Sequence, residues 1–140
     1  MFYQVKVKYD KIAENGKQVV ETEDYLVNNC VLHAEAEAKL LQYGTDYSFE
    51  NFDVTAVKRS KIREFVNDCE EDNDIYVSTI VDVFIDENTG KEKETKYQVG
   101  VYATSVDDAT KKTNEYMRQG LNDCHLVCVK KTKIVEVLKY

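Results

Sequence analysis

Along residues 2–9, FYQVKVKY, Tyr3, Val5, Val7 and Tyr9 alternate with Gln4, Lys6 and Lys8. A period of two predicts a strand with one buried and one wet face. The Asn-Gly pair in ENGK (residues 14–17) supplies a hairpin turn, and VVETEDYLV (19–27) the returning strand. A second hairpin is predicted from YVSTIVDVFI (76–85), a turn at DENTGK (86–91), and ETKYQVGVY (94–102). Each hairpin leads into helix-forming sequence. HAEAEAKLLQY (33–43) is rich in strong helix formers, and SVDDATKKTNEYM (105–117) opens with Ser105 and an Asp three residues later, as a capping box does. Gly44 and Gly120 are the expected helix stops.

After each helix the chain writes nearly the same phrase, VKRSKIREF from Val57 and VKKTKIVEV from Val129, inside the longer predicted strands NFDVTAVKRSKIREF and DCHLVCVKKTKIVEV. The chain has no proline to break them. The expected fold is therefore α+β, a tandem repeat of two β-β-α-β units with about six mostly antiparallel strands and two helices. A right-handed crossover would set the third strand beside the first, in the order 2-1-3. Residues 1–66 form the first repeat, 67–74 an acidic linker and 75–140 the second repeat. One helix covers only one face of a three-stranded sheet, so the repeats are expected to pack around a pseudo-twofold as one compact body.

Composition adds limits. At 140 residues, 43% hydrophobic and 32% charged, the chain suits an ordered globular protein. Its net charge of −7 is unevenly spread. Residues 67–74, NDCEEDND, hold five acids and no base, whereas residues 1–66 carry −2 and residues 75–140 are neutral. Net charge alone therefore does not exclude a polyanionic partner. The N-terminal stretch lacks the apolar core of a signal peptide and no run is long enough for a membrane span, so a cytoplasmic location and no membrane partner are expected.

The start YQVKVKY, the run YLV…AEAEAKL before the first helix and VKRSKI after it resemble a domain-of-unknown-function family of small proteins. That family occurs in Bacteroides-group gut bacteria and their crAss-like phages. The resemblance spans most of the chain and implies a bacterial or phage origin, hence a host-cell cytoplasm. It brings no catalytic residue with it.

Candidate chemistry lies mainly in the twin strands. Alternation places Arg59, Lys61 and Arg63 on one face of the first, and Lys131 and Lys133 on the equivalent face of the second. Same-face neighbours on a strand stand about 6.6 Å apart. Cations at that pitch can follow a phosphate backbone, as in sequence-tolerant single-strand binders; they can equally be a solvated surface or a lysine-guarded edge. The loop YGTDYSFENF (43–52) crowds aromatics, of which Tyr47 and Phe49 are the candidates for stacking on bases or docking a protein. A cluster folded back over the sheet end is the alternative.

Cys124 and Cys128, four apart on a strand, would be about 13 Å apart and unable to share a zinc or a disulfide. All four cysteines, with Cys30 and Cys69, are expected as reduced thiols, and Cys124 and Cys128 as core. No phosphate loop, GxSxG or HExxH motif occurs, and neither His33 nor His125 sits in a triad-like pattern. The expectation is a protein that is not an enzyme and uses no cofactor or metal. It would bind nucleic acid, preferring single strands. The alternative is an adaptor or inhibitor, phage-encoded, that engages a host protein.

Overall fold

The computed structural model describes residues 1–68, 73–120 and 123–139. Cys69 and most of the acidic stretch of the expected linker lie outside the described residues. Two compact units emerge: Met1–Ser60 with Lys133–Tyr140, and Lys61–Thr132.

In unit one, β1 (Tyr3–Ile12) and β2 (Gln18–Val27) pair antiparallel from Tyr3↔Val27 to Ile12↔Gln18. Their turn is closed by Gly16 at φ 79°, with its N–H on the Ala13 carbonyl, and by the Asn15 side chain, which accepts from the Lys17 N–H at 3.0 Å. Helix α1 (His33–Asp46) follows, then β3 (Glu50–Arg59), antiparallel to β1. The other flank of β2 is filled in parallel by β8 (Ile134–Leu138), so the sheet order is β3-β1-β2-β8. Tyr3, Val5, Val7, Tyr25 and Val27 of the sheet bury against Ala36 and Leu40 of the helix, with Cys30 and Leu138 at the edges.

Unit two centres on the hairpin of β5 (Asp74–Ile85) and β6 (Glu92–Ala103). Helix α2 (Val106–Arg118) leads to β7 (Asp123–Lys131), antiparallel to β5, and β4 (Ile62–Phe65) lies parallel to β6, giving the order β4-β6-β5-β7. Its core is Tyr76, Ile80, Val99, Val101 and Ala103 against Ala109. Beside them Ser78 and Thr113, both fully buried, share a 2.8 Å hydrogen bond. Thr113 donates to the Ala109 carbonyl, which leaves Ser78 as the donor between them.

The architecture corrects the expectation of six mostly antiparallel strands in a tandem repeat of two β-β-α-β units. Among the described residues there are eight strands in two mixed sheets, and the fold is not two self-contained copies in succession. The cause lies in the twin phrases. Each predicted long strand stops at its hydroxyl residue, where Ser60 N–H bonds to the Phe2 carbonyl and Thr132 N–H to the Ile75 carbonyl. The Lys-Ile-X-Glu segment that follows joins a different sheet. Ile62 and Ile134 are buried, 5% and 7% exposed, in the sheets they enter. Glu64 accepts from the hydroxyl of Tyr116 on α2, and Glu136 from that of Tyr43 on α1 at 2.9 Å. The repeated phrase therefore encodes departure from one sheet and capture by another.

Two further expectations change. Gly44 does not stop α1. It lies buried inside the helix, where an added Cβ would overlap the Phe52 ring. The helix ends instead with Ser48 in the left-handed region (φ 56°), Ser48 N–H on the Thr45 carbonyl and Phe49 N–H on the Gly44 carbonyl, a Schellman ending without glycine at its turn. The second helix begins as expected, with the Ser105 hydroxyl accepting from the Asp108 N–H at 3.1 Å.

Candidate functional site

Strand bulges decide which way the candidate residues face. In β3 the pairing steps from Lys6↔Ala56 to Val7↔Val54, leaving Thr55 as an extra residue whose hydroxyl bonds the Lys6 carbonyl. In β7 Val127 is the extra residue, between Thr79↔Cys128 and Ile80↔Leu126, and it is 51% exposed. Each bulge reverses the phase of the alternation. Val57 and Val129 then pack toward the cores, while Cys128 turns to the face of Thr79. The expectation that Cys128 is core is overturned for that reason; Cys124 packs beside the core of unit two, and burial pushes its thiol pKa up. Cys30, Cys124 and Cys128 are free thiols.

The five candidate cations divide between the units. Arg59, at the end of β3 opposite Tyr3, and Lys133, just before β8, belong to unit one. Lys61, Arg63 and Lys131 belong to unit two. All five are exposed. Lys131 forms an ion pair with Asp74 at 3.2 Å; among the described residues none of the other four is in an ion pair. The Arg59 Nε points at the Met1 sulfur. The Arg63 guanidinium lies 5.1 Å from the centre of the Tyr97 ring, a cation–π contact that holds it against β6. Lys61 lines a pocket with Thr79, Lys96, Tyr97 and Gln98, four residues the linear pattern of basic strands does not reveal.

The two aromatic candidates sit together in unit one. Phe49 packs against Tyr9 at 4.5 Å between ring centres and stacks with Phe52 at 5.6 Å and 15°. Tyr47 touches Tyr43 at 4.6 Å yet is 65% exposed. Phe49 is thus one member of a cluster folded over the sheet end, and Tyr47 its outward-facing ring. Carboxylates bind the phenols beneath. Glu23 accepts from Tyr9 at 2.8 Å and from Tyr25 at 2.7 Å. Burial, then the bond to Glu23, raises the Tyr9 pKa to about 12; burial and the bond to Glu136 raise that of Tyr43 to about 12. Tyr25 and Tyr116 are raised for the same reasons, through Glu23 and Glu64.

A second cleft, of about 210 Å³, lies where the end of α2 meets the sheet, lined by Asp82, Tyr97, Tyr116, Met117 and Cys124 with Gln119 and Gly120. Burial raises the Tyr97 phenol, helped by the nearby Asp82 charge. Among the described residues no cluster of three or more His, Cys, Asp or Glu side chains could hold a metal, and no helix is long and apolar enough to cross a membrane.

Two four-stranded mixed sheets, each backed by one helix, define an α+β protein. The chain belongs to the family described as a domain of unknown function, DUF4494, whose model matches residues 1–140. No curated protein and no solved structure matches it.

Proposed function

We propose that this protein binds nucleic acid without catalysing a reaction, prefers single strands, and reads the phosphate backbone rather than the bases. One observation carries the reading. Arg59, Lys61, Arg63 and Lys133 are exposed and outside any ion pair among the described residues, in a chain with 26 acidic against 19 basic side chains. Exposed cations that no carboxylate neutralises are available to phosphates. Tyr47 adds an exposed ring on which a base can stack. The setting we propose is a bacterial cytoplasm, in Bacteroides-group cells or during infection by their phages.

The test is a titration with short single- and double-stranded oligonucleotides at several salt concentrations. On a single strand, the log–log salt slope should be about −0.7 per neutralised phosphate. Replacing Arg59, Lys61 and Arg63 together with glutamine should weaken binding and flatten the slope by about two units, with no loss of fold because all three are exposed. Equal binding by the triple variant, or no binding near micromolar concentration at low salt, rejects the proposal.

The second reading, an adaptor or inhibitor that docks on a protein, draws on exposed apolar residues at the hairpin ends. These are Ile12 (73% exposed) and Val20 in unit one, and Phe84 and Ile85 in unit two. It takes over if oligonucleotides fail to bind.

A further inference from the structure

Three adjacent strands of unit two open a shallow pocket of about 450 Å³ lined by Lys61, Thr79, Lys96, Tyr97 and Gln98. Strand pairing explains the convergence. Gln98 of β6 lies opposite Thr79 of β5 and beside Ile62 of β4, which brings Lys61 to the same place. Lys96 is two residues before Gln98 on the same strand face, about 7 Å away. Thr79 alternates with the buried Ser78 and Ile80, so the pocket opens on the sheet face opposite α2.

The chemistry of the lining is one-sided. Two ammonium groups, a carboxamide and the Thr79 hydroxyl carry hydrogen-bond donors, and no carboxylate is among them; Tyr97 borders the pocket while its ring packs toward the α2 side. The clefts around α2 differ in this respect, since they include Asp82, Asp123 or Glu115. Lys61 and Lys96 are both exposed, and neither is in an ion pair among the described residues.

We propose that this pocket is a binding site for a phosphate group, with Lys61 and Lys96 neutralising its charge and Gln98 and Thr79 donating to its oxygens. The inference rests on the nucleic-acid reading for one of two sources of that phosphate, a strand backbone; the other is a small free phosphate. Lysines on flexible stems suit either, because they act as point charges and do not demand the planar geometry that arginine imposes.

Amide NMR on the full chain tests the site and separates it from the broader reading. Inorganic phosphate and a short single-stranded oligonucleotide are titrated separately into wild type, Lys96→Gln and Lys8→Gln, the last an exposed lysine of unit one. Phosphate should shift the amides of Thr79 and Gln98, and Lys96→Gln should weaken it about tenfold while Lys8→Gln leaves it unchanged. If the strand backbone is the source, the oligonucleotide shifts the same amides and depends on Lys96 more than on Lys8. Phosphate binding at the pocket without oligonucleotide binding supports the site for free phosphate and rejects the nucleic-acid reading. Oligonucleotide binding that leaves those amides unmoved, with no response to phosphate, overturns the site and leaves that reading standing. No response to either ligand overturns both.

Discussion

Replacing Gly100 with alanine should destabilise the protein, although alanine is normally the better residue within a strand. Gly100 lies buried in β6 and is paired with Phe65 of β4. An alanine Cβ there would sit inside van der Waals contact of three carbons of the Phe65 ring. That ring is itself stacked on Tyr102, at 5.0 Å and 26°. Relief requires the ring to swing away, forfeiting a stack worth about 0.5–1.5 kcal/mol and part of its burial. Overpacking of this kind costs about 1–3 kcal/mol, against about 0.5–1 kcal/mol gained by removing glycine's excess freedom. The expected net loss is about 1–2 kcal/mol, read as a lower urea midpoint at unchanged m-value. The decisive measurement is a double-mutant cycle. With Phe65→Ala in place there is no ring to displace, so adding Gly100→Ala should become neutral or stabilising. Gly100→Ala as stable as wild type, or equally costly in both backgrounds, would show that the glycine is not there to seat the ring.

Thr113→Val should cost about 1–3 kcal/mol, because it strands the buried Ser78 hydroxyl, whereas the double change Ser78→Ala with Thr113→Val should recover much of the loss in urea unfolding. Alkaline pH should unfold the protein through its buried phenols. A phenol with a raised folded pKa binds its proton more firmly when folded, so its contribution is intact below the unfolded value of 10 and is lost as pH climbs toward about 12 for Tyr9 and Tyr43. Phenolate absorbance followed alongside circular dichroism should show a late group of tyrosines ionising together with unfolding; a single titration of all tyrosines near 10 with the fold intact would contradict the assignment.

The parts of the structure legible in the sequence are those set by neighbours along the chain. Alternation and Asn-Gly or Thr-Gly turns located both hairpins, and Ser105 with Asp108 located the start of α2. What escaped was non-local. Nothing in Arg59-Ser60-Lys61 marks a strand end, because no glycine or proline interrupts it and the period of two continues across it. Its ending depends on which sheet has an open edge for Ile62. The bulges at Thr55 and Val127 are equally silent, since both residues are good strand formers, yet they invert the face of everything beyond them. Gly44 read as a helix stop because glycine at a helix end often is one; here the Phe52 ring occupies the space of its missing side chain. For the candidate site, the residue types were visible and their grouping was not. Lys61 meets Lys96 and Gln98 only through the parallel pairing of β4 with β6.

The path of the chain also sets an order of assembly. Unit two is one continuous stretch, Lys61–Thr132, and all four of its strands have been synthesised before β8 exists. Unit one cannot finish until Ile134–Leu138 arrives to pair with β2, residue 134 closing on residue 24. Closing so long a loop adds little free energy, about 0.6 kcal/mol per doubling of length, but it fixes a sequence in time. During synthesis, and in any product cut short of Ile134, β2 presents a bare row of N–H and C=O groups. Such an edge can also accept the β8 segment of another copy. Until its own β8 pairs, each chain is therefore open to strand capture by a neighbour on the same messenger.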